Sequence, residues 1–363
     1  MVWADVSIAE NDRDMASILS LRTASGKSVK VFMALVLGLC VACGSAQAVH
    51  EDTIVIRFSH VVSPEAPKGK AADFFARRAA ALTRGRVRVE VFPQSILHGD
   101  REEMLALQLG AVEMLAPSLA KFNALGTTAF ELFDLPYLFE DREKLRAVTE
   151  GPIGKRLLNS LENRGILGLA FWDNGFKSFS LNRPLHGPED LKGQRMRIQS
   201  SRVLEEQILA LDAVPLMMPF ADAYEALRAG VADGTENPYS NLYTERMHTV
   251  QPYLALTRHG YLGYAVIANK RFWSNLPRSV RRQLEQAMRE ATDYANRIAQ
   301  EENQRALEAI RQAGTTEVIE LDEEARAAFR DVLLPVHRDA AERIGEHLLA
   351  DVYRTVGFQP ELQ

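Results

Sequence analysis

SVRRQLEQAMREATDYANRIAQEENQRALEAIRQ, residues 279–312, contains neither glycine nor proline. Apolar residues recur at Val280, Leu284, Met288, Ala291, Tyr294 and Ile298, then at Leu307 and Ile310. That is the spacing of one helical face. The stretch predicts a single helix far longer than the usual length of about 11 or 12 residues. At about 1.5 Å per residue it is long enough to run across two domains.

Upstream of it, strand-like and helix-like segments alternate, which predicts an α/β fold with a largely parallel sheet. Thr53–Phe58 (TIVIRF) is a β-branched strand, and Lys68–Thr83 has helical spacing of Ala, Phe and Leu. Arg86–Phe92 alternates strictly, with Val87, Val89 and Val91 on one face. Further strands are predicted at Val112–Ala116, Ile166–Phe171, Arg195–Gln199 and Leu262–Ala268, with helices at Arg101–Leu109, Arg202–Leu211 and Ala221–Ala229. There is no internal repeat and no low-complexity linker. Two domains without a linker imply more than one crossing strand, and so a hinge.

The N-terminus reads as an export signal. Val31–Cys43 (VFMALVLGLCVAC) is uncharged and mostly apolar, Lys27 and Lys30 precede it, and Ala46-Gln47-Ala48 follows. A basic n-region, a short h-region and an A-x-A site mark a cleavable signal peptide. The run is shorter than the roughly 20 apolar residues a bilayer span needs. The signal is therefore expected to occupy residues 1–48, with the mature chain starting at Val49. Lipid attachment at Cys43 is the rival reading, although Cys40 stands where such sites carry a larger aliphatic residue. Asp5, Glu10, Asp12 and Asp14 are unusual in a leader, which makes Met15 a second candidate start.

Both cysteines, Cys40 and Cys43, fall in this leader, so the mature chain is expected to hold no disulfide, thiol nucleophile or thiolate metal site. About 315 residues remain, enough for two domains. The net charge of −5 argues against a nucleic-acid partner, which wants a basic face. No G-x-S-x-G, H-E-x-x-H, G-x-x-x-x-G-K-[ST] or strand-linked G-x-G-x-x-G occurs. The eight histidines show no metal-ligand spacing at i, i+4.

What stands out is a set of polar residues at strand ends, where α/β folds hold ligands. Arg197 lies between Met196 and Ile198 and precedes Gln199-Ser200-Ser201 and a helix. A guanidinium there can grip a carboxylate bidentately, helped by the helix N-terminus. Read alone, it is as readily an arginine on the solvent face of a strand. Asn237, in Gly234-Thr235-Glu236-Asn237-Pro238, can either bond a ligand or simply make the turn. Trp172-Asp173-Asn174-Gly175-Phe176-Lys177 brings an aromatic, an amide and a cation to a strand end. Lys68 heads the first helix, where a lysine commonly faces solvent.

These segments join into a longer pattern: FSHVVSPEAPKGKAA from Phe58, LQLGAVEMLAPSLAKF from Leu107, FELFDLPYLFED from Phe130, LAFWDNGFKSFSLNRPL from Leu169, LKGQRMRIQSS from Leu191, GVADGTENPYSN from Gly230 and HGYLGYAVIANKRFW from His259. From Ile56 to about Leu348 the chain resembles the extracytoplasmic solute-binding subunit of TRAP transporters, and within them the C4-dicarboxylate-binding DctP group. The resemblance implies the two-domain periplasmic solute-binding (Venus-flytrap) fold, with hinge strands and one long helix bracing both domains. Domain I is then 49–174 with 263–300, and domain II is 175–262 with 301–355. It also implies that Arg197 binds a ligand carboxylate, that Asn237 belongs to the D-G-x-E-N pattern, and that Lys177 is a second cation. By looser analogy Lys68, Asn174, Ser118, Phe220 and His259 line the cleft. Pro219-Phe220-Ala221 departs from the pattern, since many relatives have Ser after the Phe.

The function so implied is a monomeric periplasmic receptor, not an enzyme. It captures succinate, fumarate or malate by cleft closure and delivers it to the membrane subunits, with no cofactor and no metal. A dianion needs cations in its cleft, because an unpaired buried carboxylate is costly. Two other readings stand: a receptor for a keto acid, monocarboxylate or sugar acid, and a periplasmic enzyme acting on an organic acid.

Overall fold

The computed structural model describes residues 53–359. The export segment, the candidate start Met15, Cys43 and the boundary at Val49 lie outside the described residues. Among those described, no helix is long and apolar enough to cross a membrane.

Nine strands of the described residues make one mixed sheet: β1 (Ile54–Ser59), β2 (Val87–Phe92), β3 (Met114–Leu115), β4 (Ile166–Leu181), β5 (Arg195–Ile198), β6 (Val214–Met217), β7 (Gly234–Asn237), β8 (Tyr253–Asn269) and β9 (Glu317–Ile319). Their order is β2-β1-β3-β8-β4-β7-β5-β6, with β9 beside β8. The expectation of a largely parallel sheet needs correcting. β1 is parallel to β2 and β3, and β5 to β6 and β7. The joins between these two groups, β3–β8, β8–β4 and β4–β7, are antiparallel. Each lobe thus has a parallel core reached by helical crossovers, and two long strands stitch the cores together.

Those long strands are the second correction. The strand expected to stop at Phe171 continues to Leu181, and the one expected to begin at Leu262 begins at Tyr253. Trp-Asp-Asn-Gly reads as a strand end because Asp, Asn and Gly are poor strand formers. Here they sit inside a strand that bulges. Asp173 pairs with Gly263 and Gly175 with Leu262, so Asn174 drops out of the ladder. Two further shifts fall between Gly168 and Ala170 and between Lys177 and Phe179. A bulge bends a strand and leaves one residue unpaired.

The long helix runs Arg278–Ala313, 36 residues or about 54 Å, close to the reading from its sequence. Its first half packs Val280, Leu284 and Met288 with Phe58, Phe75 and Trp172 of the first lobe. Near its end Ile310 packs with Leu227, Leu242 and Leu254 of the second. Between them, buried Asn303 donates from Nδ2 to the Asn174 carbonyl at 2.7 Å. Its Oδ1 accepts from the Ser240 N–H at 3.0 Å. The helix therefore supplies the partner that the bulge denies to Asn174. Gly175 makes the approach possible, since a Cβ there would lie 2.9 Å from Asn303 Nδ2.

Replacing Asn303 by Leu keeps the branched shape and the number of side-chain heavy atoms but strands a buried carbonyl and a buried N–H. An unsatisfied buried group costs about 1–3 kcal/mol. Asn303→Leu is expected to lower unfolding free energy by about 2–5 kcal/mol in a urea titration. A change below about 0.5 kcal/mol, the size of an ordinary surface substitution, would contradict this role.

Candidate functional site

The carboxyl ends of the parallel strands converge on one small cavity of about 20 Å³. Lys68 sits in the first turn of the helix Pro67–Leu82, which follows β1. Lys121 and the preceding Ser118 follow β3, Lys121 in the 3₁₀ turn Leu119–Leu125. Gln199 follows β5, Phe220 opens the helix Phe220–Arg228 after β6, and Asn237 ends β7. Asp100, Asn241 and Tyr264 complete the polar lining. This is the crevice outside the strand ends where open α/β sheets hold ligands.

Two cations here lack an acidic partner. Arg197 is 1% exposed. Met196 and Ile198 point into the core, and strand alternation turns Arg197 the other way, toward Phe220. Its Nε and Nη2 donate to the Met218 carbonyl at 3.1 and 2.8 Å, and its guanidinium lies 5.6 Å from the centre of the Phe220 ring. No carboxylate of the described residues comes within 4.0 Å of it. Burial lowers its pKa, while Asp100, Glu236 and Asp222 pull the other way from a distance. Lys68 is 2% exposed; its Nζ donates to the Ala116 carbonyl at 3.0 Å and sits 3.9 Å above the Tyr264 ring. It too has no carboxylate within 4.0 Å among the described residues.

Lys121 differs, being paired with both Asp100 and Glu103. Burial pushes its ammonium down, but those two carboxylates outweigh burial and the net shift is upward. Asp100 also accepts from the Phe220 N–H at 2.5 Å, so it ties the two lobes together. The Ser63 N–H to Glu245 Oε1 bond (2.7 Å) and the Ser118–Gln199 side-chain bond do the same. The cleft is closed in this structure.

Of the residues singled out in the sequence, Lys68, Ser118, Phe220 and Asn237 line the cavity, and Arg197 stands behind Phe220. Asn237 donates to Thr235 Oγ1 (3.3 Å) and accepts from Asn241 Nδ2 (3.3 Å). Asn174 lies one side chain further back, donating to Asn241 Oδ1 and the Tyr264 hydroxyl. Lys177 and His259 are elsewhere. Alternation along β7 sends Glu236 to the opposite face from Asn237, and there Glu236 forms a fully buried ion pair with Lys177. His259 Nε2 is 3.6 Å from the same carboxylate, its Nδ1 bonds Thr257 Oγ1 at 2.7 Å, and its ring stacks on Phe179 at 3.9 Å. Burial lowers the His259 pKa, which keeps the ring neutral near pH 7.

Lys121, Asp100, Gln199, Asn241 and Tyr264 were not picked out from the sequence. Asn241 had a usable signal, being one helical turn beyond Asn237. Lys121, in Leu119-Ala120-Lys121-Phe122, was a charge in an apolar run. A roomier groove of about 690 Å³ exists near the bulges, but of its two cations Arg142 is paired with Asp173 at 3.3 Å and Arg258 is exposed. Among the described residues no group of three or more His, Cys, Asp or Glu is placed to hold a metal ion. What the cavity offers is anion binding from two lobes.

Comparison with known proteins agrees with this chemistry. The family model of bacterial extracellular solute-binding protein family 7 (DctP) matches residues 58–343. The C4-dicarboxylate-binding periplasmic protein DctP of Rhodobacter capsulatus is 58% identical over 301 residues, 83% of this chain and 90% of that one. A crystal structure of a TRAP periplasmic solute-binding protein from Sulfurospirillum deleyianum, with bound succinate, superposes with a TM-score of 0.81 at 42% identity, covering 84% of this chain and 99% of that one. A Pseudomonas aeruginosa counterpart with bound L-malate gives 0.77 at 41% identity, covering 79% and 99%. A two-lobed α/β sheet, a long bracing helix, buried cations at the cleft and a family match across most of the described residues lead to one conclusion: the chain belongs to the DctP family of bacterial extracellular solute-binding proteins.

Proposed function

We propose that this chain is the periplasmic receptor of a TRAP transporter, binding a C4-dicarboxylate such as succinate, fumarate or malate. The observation that carries this reading is the pair of buried basic side chains, Arg197 and Lys68, with no carboxylate of the described residues within 4.0 Å of either. A buried charge left without a partner is costly, and a diacid answers two of them at once. Arg197 and Asn237 from one lobe take the first carboxylate. Lys68 from the other, with Lys121 nearby, takes the second. The ligands held by the Sulfurospirillum and Pseudomonas proteins support this choice. A structure from Advenella mimigardefordensis, 29% identical, holds galactonate. Such a sugar acid has one carboxylate and would leave one cation unanswered.

Because the groups belong to opposite lobes, ligand shifts the hinge toward the closed form. The closed form then docks on the membrane subunits and releases its solute, with no covalent step. The lobes divide as 49–174 with 263–300, and 175–262 with 301–355. The register shift at Asn174, opposite Leu262 and Gly263, and the crossing of the long helix near Asn303 support that division.

Arg197→Ala is expected to weaken succinate binding by about 2–5 kcal/mol, roughly thirty- to several-thousand-fold in Kd by titration calorimetry. Near-wild-type affinity would overturn the assignment. In a thermal-shift titration succinate should stabilise the protein by mass action, and butyrate, with a methyl in place of one carboxylate, should need at least about tenfold more ligand for the same shift. Equal potency would favour a monoacid receptor.

A further inference from the structure

We propose that binding of the diacid draws a proton from solvent onto the Lys68 amine, so that at mildly alkaline pH this receptor takes up its ligand and a proton together. The inference rests on the reading of the site as a diacid receptor. Its basis is the position of Lys68, whose neighbours Ala116, Tyr264 and Lys121 all belong to its own lobe and accompany it when the cleft opens. The amine is 2% exposed and lies on an aromatic face, with one carbonyl at 3.0 Å and no carboxylate of the described residues within 4.0 Å. It shares the cavity with a second ammonium, Lys121, whose charge is already matched by Asp100 and Glu103. An amine so placed gains little from carrying a charge until an anion arrives beside it.

The groups around it agree. From the strand–helix turn, His60 is held neutral, its pKa lowered to about 3 by burial and then by Lys68. Burial raises the Glu245 carboxyl, which is held by the Ser63 N–H. Burial also raises the Tyr264 phenol, which stays protonated. Asp100 and Glu103 are committed to Lys121. Burial, and after it Lys121, brings Lys68 down to about 7, with Glu103, Asp100 and Glu245 opposing. Below that pH the amine is already charged and binding takes up no proton there. Above it the free amine is largely neutral, and an arriving dianion raises its pKa. The amine's lone pair accepts the proton from buffer or water, and no other bond changes. Affinity therefore declines as pH rises above about 7.

The test is calorimetric titration of the mature protein with succinate at about pH 8, where the diacid is fully ionised, in buffers of different ionisation enthalpy. Observed enthalpy plotted against buffer enthalpy has a slope equal to the protons taken up. We expect about 0.5–1 at pH 8 and near zero at pH 6, with Kd rising up to about tenfold per pH unit above 7. In Lys68→Arg the guanidinium is always charged, so the slope at pH 8 should vanish even if affinity changes. A zero slope in the wild-type protein with measurable binding would overturn this inference alone, as would unchanged uptake in Lys68→Arg. Absence of any diacid binding would instead overturn the receptor reading and this inference with it.

Discussion

Two basic side chains buried at one cleft, Arg197 and Lys68, with no carboxylate of the described residues within 4.0 Å of either, are the constraint on which the molecule depends. Leaving an ion in a low-dielectric site without a partner costs several kcal/mol. The same protein shows that it can match charges when structure requires it. Lys177 is answered by Glu236, and Lys121 by Asp100 and Glu103, all of them buried or nearly so. The unmatched pair is thus confined to the cleft, Lys68 in the cavity wall and Arg197 behind Phe220. Each cation is held in position by a neutral carbonyl, of Met218 or Ala116, and by an aromatic face, of Phe220 or Tyr264. These partners fix direction without cancelling charge.

The sheet makes that arrangement possible. Within each lobe the parallel strands aim their carboxyl ends the same way, and the three antiparallel joins turn the two groups to face each other, so β1 and β3 deliver Lys68 and Lys121 from one side while β5, β6 and β7 deliver Arg197, Phe220 and Asn237 from the other. Two antiparallel strands must then join the lobes without fixing them rigidly. The bulges in β4 are where that compromise is made, and Asn303 from the long helix bonds Asn174, which the bulge between Asp173 and Gly175 leaves over. Closure is completed by Asp100, Glu245 and Gln199 reaching across the cleft.

Much of this was legible in the sequence, for identifiable reasons. The long helix was visible because nothing between Ser279 and Gln312 interrupts its apolar face. Arg197 was visible because a charge between two core residues on a strand must face somewhere definite. The full length of β4 and β8 was not visible, because a bulged crossing strand carries Asp, Asn and Gly that elsewhere end strands. Lys68 and Lys177 look alike in sequence, each a cation near an element's end. Only the pairing of β4 with β7, which sets Glu236 against Lys177, separates them. Lys121 and Asp100 needed the fold in the same way, since 20 intervening residues hide their contact.

The central claim is that a diacid completes the charge balance of the cleft, and a crystal structure of the protein grown with succinate tests it most directly. The account predicts one carboxylate within hydrogen-bonding distance of the Arg197 guanidinium and Asn237, and the other beside the Lys68 ammonium. Succinate bound elsewhere, with Arg197 and Lys68 still turned only to the Met218 and Ala116 carbonyls, would contradict it.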